Sequence, residues 1–216
     1  MKNSRLQFFA ERMDVLSRRD RIFINNPVIM QGLGLAPIVI PATNLQRALV
    51  LAVAVLLLLT PTRVLATFVG QHTGFKLRAV LYALTSGAVY IFVAYALEYL
   101  FGPAVRNVGI YLPLLVLEPL IIKRYESDSS ERISTSFKKG MITTAGFCLA
   151  LFVIAGMREL LAYGTLGGME VFRVAVLPMA SEPAGGFILV GLIAALWRGS
   201  INDFKKRVSM GAKDKK

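Results

Sequence analysis

Residues 31–44 read QGLGLAPIVIPATN. No charged side chain occurs from Gly32 to Asn44, yet Gly32, Gly34, Pro37 and Pro41 punctuate the run. An interior proline removes a backbone N–H and clashes with the preceding turn, and glycine is a poor helix former, so a continuous helix does not pass through this stretch undisturbed. The stretch nevertheless closes a long uncharged segment, Ile22 to Ala42. At membrane depth such an interruption is tolerated only where the freed backbone groups face protein or an enclosed cavity instead of lipid. The stretch therefore predicts an irregular element buried inside a helical membrane protein.

The rest of the chain agrees. It has 216 residues, 55% of them hydrophobic and 18% charged, with a mean hydropathy of +0.59. Beyond Ile22 to Ala42, apolar segments run over Ala48 to about Val69, Ala79 to Leu97, Val108 to Ile122, Met141 to Met157 and Pro183 to Trp197. Several are shorter than the ~20 residues a spanning helix needs, so their flanks must contribute. Pro61 and Arg63 compromise the second segment, whose end is placed only loosely, and a snorkelling Arg63 near the interface would be affordable. The net charge of +12 does not imply nucleic acid, because the basic residues fall into separate clusters between apolar runs. The sequence divides into a basic N-terminal arm (1–21), a membrane domain (22–198) and a basic tail (199–216). The arm carries nine charges and no apolar core of signal-peptide length, so it is expected to be retained.

Six crossings with the N-terminus inside place 21 of the 25 basic residues on the cytoplasmic side, in the arm, the loop with Arg63, Lys76 and Arg78, the stretch from Lys123 to Lys139, and the tail from Arg198 onward. Only Arg47, Arg106, Arg173 and Arg158 remain. The positive-inside rule thus predicts both termini cytoplasmic, in the inner (cytoplasmic) membrane. Six crossings divide into three plus three with inverted topology. Each half opens on its most interrupted segment, the first with Asn25, Asn26, Pro27, Gly32, Gly34, Pro37 and Pro41, the second with GPAVRNVGIYLPLLVLEPLIIKR. Paired interruptions of this kind point to a site near the bilayer midplane. The expected fold is an all-α inverted repeat of six transmembrane helices, broken in segments 1 and 4.

Several short motifs now fall into order: NNP at Asn25 to Pro27, LGLAP at Leu33 to Pro37, ATN at Ala42 to Asn44, GIYLPLLV at Gly109 to Val116, REL and YGTL between Arg158 and Leu166, and PAGGFILVGL at Pro183 to Leu192. Together they resemble the paired membrane subunits of the Rnf and sodium-pumping NADH:quinone oxidoreductase complexes, specifically the E subunit of the former and the D subunit of the latter. The resemblance implies a homologous six-helix partner of opposite orientation, other redox subunits carrying flavin and iron-sulfur groups, and a [2Fe-2S] cluster held by cysteines from the two broken helices of each subunit. Here those positions are Ala36 and Pro119, neither of which has a donor atom for iron. Cys148, the sole cysteine, lies in segment five, away from both. No cofactor is expected in this chain.

Individual residues carry further expectations. Glu118 lies beside Pro119 inside segment four, where an ionised carboxylate is costly. It reads either as a proton or cation site, or partner contact, or as a carboxylate reaching the inner interface near Lys123 and Arg124. Arg158 and Glu159 are neighbours on one helix and so face different directions, each needing its own partner. A structural pairing at the outer surface is favoured over an ion pathway. Thr43 and Asn44 precede an apolar run and are expected to cap it. Gly185 and Gly186 fit close helix packing better than phosphate binding, since no strand precedes them and no GK follows. His72, the only histidine, has no companions at metal-ligand spacing. With no catalytic triad or dinucleotide fingerprint, the chain reads as a non-catalytic membrane subunit, a scaffold and half of a pseudo-symmetric pair in a redox-driven complex. The alternative is a secondary transporter or ion-conducting module that kept the fold after losing the redox centre.

Overall fold

Four of the apolar runs become long helices, whereas the two runs richest in proline and glycine, 22–44 and 102–119, do not. The structure, a computed structural model, describes residues 20–70, 77–119 and 132–213. Its principal helices are α1 (Leu35–Val39), α2 (Leu45–Gly70), α3 (Arg78–Phe101), α4 (Tyr111–Leu114), α5 (Ile133–Tyr163) and α6 (Pro183–Lys213). A two-stranded antiparallel hairpin, β1 (Thr165–Leu166) and β2 (Met169–Glu170), follows α5, and a 3-10 turn, Pro178–Ser181, leads into α6. Among the described residues, α2, α3, α5 and α6 are long and apolar enough to cross a membrane.

The two punctuated segments differ. Residues 21–34 form successive turns, after which α1 supplies a single helical turn before Ile40 and Pro41 interrupt it again. The fourth segment opens with a 3-10 stretch, Gly102–Asn107, continues through α4 and a further 3-10 turn, Leu115–Leu117, and reaches Glu118 and Pro119. Its last three residues, with Lys123 and Arg124, lie outside the described residues, as do His72 and residues 1–19.

α2 and α5 form the centre. Of their most apolar stretches 61% and 50% is buried, against 28% for both α3 and α6, which places the latter two at the periphery. The seam between α2 and α5 is apolar through Leu51, Val55, Leu58, Phe147, Leu151 and Ile154. Towards the C-terminal end of α2 it turns polar and narrow. Thr60 and Thr144 hydroxyls lie 3.2 Å apart, Thr67 and Ser136 hydroxyls 2.9 Å apart, and Gly140 sits against Thr60. Small residues and hydroxyls at such a seam let helices approach closely where lipid offers no hydrophobic drive for association. The outward faces of α3 and α6 carry large exposed apolar side chains, among them Leu84, Phe92, Tyr95, Tyr99, Leu192 and Leu196.

α2 continues through Pro61 without a break, since a membrane helix tolerates proline where neighbours satisfy the freed backbone. Arg63, in the second half of α2, is 5% exposed. α6 runs on to Lys213, so the last helix continues into the basic tail. Arg21 Nη1 donates to Thr143 Oγ1 at 3.0 Å and ties the entry to α5.

Candidate functional site

The irregular backbone of residues 22–44 creates a requirement that side chains of α5 and α6 meet. Asn26, fully buried, donates from Nδ2 to the carbonyls of Ile22 and Gly146, each at 2.8 Å, and accepts at Oδ1 from the amides of Val28 (2.9 Å) and Ile29 (3.2 Å). All four of its hydrogen-bonding positions are used, which is how a polar side chain survives in an apolar interior. Trp197 Nε1 donates to Phe23 O at 2.9 Å, and its indole stacks on the Phe23 ring. Arg198 donates to the carbonyls of Ile29 and Met30 at 3.1 and 3.0 Å.

The densest arrangement surrounds Arg158 and Glu159. Arg158 has no exposed surface. Its Nε donates to Ala180 O at 2.9 Å, Nη1 to Val39 O and, at 3.2 Å, to Ala42 O, and Nη2 to Ser181 O at 3.0 Å with a longer contact to Glu182 O at 3.5 Å. The planar fork of the guanidinium thus joins the carbonyls at the end of α1 to those of the 3-10 turn before α6. Glu159 points elsewhere, as neighbours on a helix must. Its Oε2 accepts from the Leu45 amide at 2.7 Å, where a carboxylate meets the positive N-terminus of α2, and its Oε1 accepts from Thr165 Oγ1 (3.2 Å) and Gly168 N (3.1 Å) in the hairpin. Asn44 completes this end of α2, accepting at Oδ1 from the Arg47 amide at 2.9 Å as an N-cap. Both residues are buried, and apart from the Thr165 hydroxyl their partners are backbone groups that the interrupted segment, the hairpin and the 3-10 turn leave without helical partners.

The PAGGF motif explains itself against this knot. A Cβ on Gly186 would lie 3.0 Å from Arg158 Cζ and Nη2 and from Val39 Cγ1, and one on Gly185 would overlap the Met179 carbonyl. The two glycines serve close packing, giving the guanidinium its room.

The second locus joins the two interrupted segments. Gly34, two residues before Ala36, lies against Glu118, the neighbour of Pro119. The Gly34 amide donates to the Glu118 carboxylate, and a Cβ on Gly34 would stand 3.6 Å from Glu118 Cδ while overlapping the Phe147 ring. Glu118 is 7% exposed, and its Oε2 has no hydrogen-bond partner. It borders a cavity of about 10 Å³ lined otherwise by Val55, Leu58, Leu59, Leu115, Pro119 and Phe147. Such a volume holds about one water. These residues do not fit a [2Fe-2S] cluster: Ala36 and Pro119 have no donor atom, four thiolates are the usual ligand set, and the Cys148 thiol is turned to Ala52 O at 3.8 Å. Among the described residues no group of three or more His, Cys, Asp or Glu converges.

A family model described as "Rnf-Nqr subunit, membrane protein" matches residues 16–194. The chain belongs to the Rnf-Nqr subunit family. Among curated proteins it is 31% identical over 190 residues to the E subunit of an ion-translocating oxidoreductase complex of Shewanella oneidensis, covering 80% of this chain and 81% of that protein. It is 28% identical over 195 residues to the protein of that name from Pseudomonas paraeruginosa, covering 82% and 81%. It is also 28% identical over 179 residues to the E subunit of a proton-translocating ferredoxin:NAD(+) oxidoreductase complex of Clostridium ljungdahlii, covering 81% and 84%. The match spans both interrupted segments, the Arg158 knot and the PAGGF motif of this family member. What sequence reading missed is Asn26 as a four-bond pin and Phe147 as the ring between the two segments. The NNP motif was the available signal for the first; a lone phenylalanine in an apolar helix offers none for the second.

Proposed function

We propose that this chain is a membrane subunit of an ion-translocating oxidoreductase complex, spanning the cytoplasmic membrane six times as two inverted sets of three with both termini cytoplasmic. It acts there as scaffold and as half of a pair with a homologous six-helix subunit of opposite orientation. Its own redox ligands are absent, and flavin and iron-sulfur groups reside in other subunits. The observation that carries this reading is the similarity to the E subunits of such complexes along four-fifths of the chain. The repeated order of punctuated segment, long helix, long helix supports the inverted repeat.

Purification from native membranes in mild detergent, with mass spectrometry and flavin and iron assays, tests it. Copurifying redox subunits and a second six-helix homologue are expected. A lone, monodisperse chain that transports after reconstitution without redox partners would replace this reading with the transporter one.

Topology is tested separately in a Cys148→Ser background. Lys213→Cys should label from the cytoplasmic side and Arg106→Cys from the outside. The reverse pattern overturns the proposed orientation.

A further inference from the structure

Most buried polar groups in the described chain are spoken for: Asn26 uses four hydrogen-bonding positions, Arg158 donates to at least four carbonyls, and both Glu159 oxygens accept. Glu118 differs. One side of its carboxyl meets the Gly34 amide, while Oε2 has no partner and borders a cavity walled by aliphatic and aromatic carbon.

Among the described residues, the groups lining the cavity beside it are apolar. α2 presents Val55, Leu58 and Leu59, α5 presents Phe147, and its own segment presents Leu115 and Pro119. The titratable groups nearest in these elements lie off the cavity. Arg63 is one turn beyond Leu59 on α2, Cys148 follows Phe147 but turns to Ala52, and Tyr82 on α3 is one turn from Ser86, which donates to Val116 O at 2.7 Å. None of them lines the cavity. An ionised carboxylate with one oxygen bare against hydrocarbon is expensive, and such a group neutralises where no countercharge meets it. A hard metal cation is a poor occupant, since it takes several oxygen ligands and this cavity offers one carboxylate.

We propose that Glu118 is a proton-binding carboxyl enclosed in the membrane domain, holding a proton on Oε2 at neutral pH. Binding forms one O–H bond with a proton taken from water, changes the charge of the group from −1 to 0, and moves no electrons. The inference stands on this chain's own residues and does not depend on membership in a larger complex.

The test is infrared difference spectroscopy of the full chain in lipid nanodiscs, wild type minus Glu118→Gln, titrated from neutral to alkaline pH. Expected is one protonated-carboxyl band per chain at pH 7, shifted to lower frequency in D₂O, absent from Glu118→Gln, unaffected by exchanging K⁺ for Na⁺, and lost at high pH. Absence of the band from wild type at pH 7 would overturn the proposal in favour of an ionised, paired Glu118. Its disappearance on adding Na⁺ at constant pH would overturn it in favour of a cation site. If Glu118→Gln does not fold, Glu118→Asp keeps a carboxyl on a shorter stem. A displaced band in that variant supports the proposal, and an unchanged one assigns the signal to another residue.

Discussion

Replacing Arg158 by Ala is expected to lower the stability of the folded chain by at least about 1–3 kcal/mol, the usual cost of leaving a buried hydrogen-bonding group without its partner. The reason is directional. The guanidinium donates to the carbonyls of Val39, Ala42, Ala180 and Ser181, and its removal leaves the first three as acceptors without this donor inside the protein. Arg158→Met should fare little better despite similar volume, because leaving acceptors unsatisfied costs more than the lost attraction. Arg158→Lys, with three donors on a single nitrogen, should recover part of the loss but cannot bridge α1 to the 3-10 turn as a planar fork does. Midpoints of unfolding in SDS, measured on the purified full chain, check the order wild type, Lys, then Met and Ala. Equal midpoints for wild type and Met would mean that the carbonyls have other partners.

Gly34→Ala is expected to be nearly as damaging, through two separable causes. Gly34 has φ +66°, a left-handed conformation costing a residue with a side chain about 1–2 kcal/mol. The new methyl would also enter the space of the Phe147 ring, and overpacking of this kind typically costs a further ~1–3 kcal/mol. Trimming the ring should relieve only the second cause. Phe147→Leu alone should destabilise by leaving space, whereas the double variant should be less unstable than the sum of the singles by about 1–2 kcal/mol, a usual coupling for residues in contact. A double-mutant cycle in the same unfolding assay reads this out. Strict additivity would show that Gly34 and Phe147 do not share the space at the meeting of the two segments.

Much of the architecture is readable from local chemistry. Uninterrupted runs such as Ala79 to Leu97 and Met141 to Met157 have one solution in a membrane, a helix that satisfies its own backbone, so α3 and α5 were foreseeable apart from their ends. The punctuation of residues 31–44 likewise foretells irregular backbone, because glycine and proline act on the chain within a residue or two of themselves. The separate destinations of Arg158 and Glu159 follow from helix geometry alone, and so does the capping role of Asn44. What those side chains reach does not. Arg158 meets Val39, 119 positions earlier in the chain, and Ala180, 22 later, and Asn26 meets Gly146 across 120 positions. Distances of that kind are set by how α2, α5 and α6 pack, and composition carries no record of them. Arg63 makes the same point from the opposite side: its neighbours in sequence allow an interface residue, and the folded chain leaves it 5% exposed. For Glu118, the sequence by itself determined that a carboxyl stands beside Pro119 in an apolar segment. Only tertiary structure decided that Gly34 donates to one side of it, that Phe147 and the leucines of α2 wall off the other, and that Oε2 is left without a partner, because the enclosure is built from three segments distant in sequence that meet only after the chain has folded.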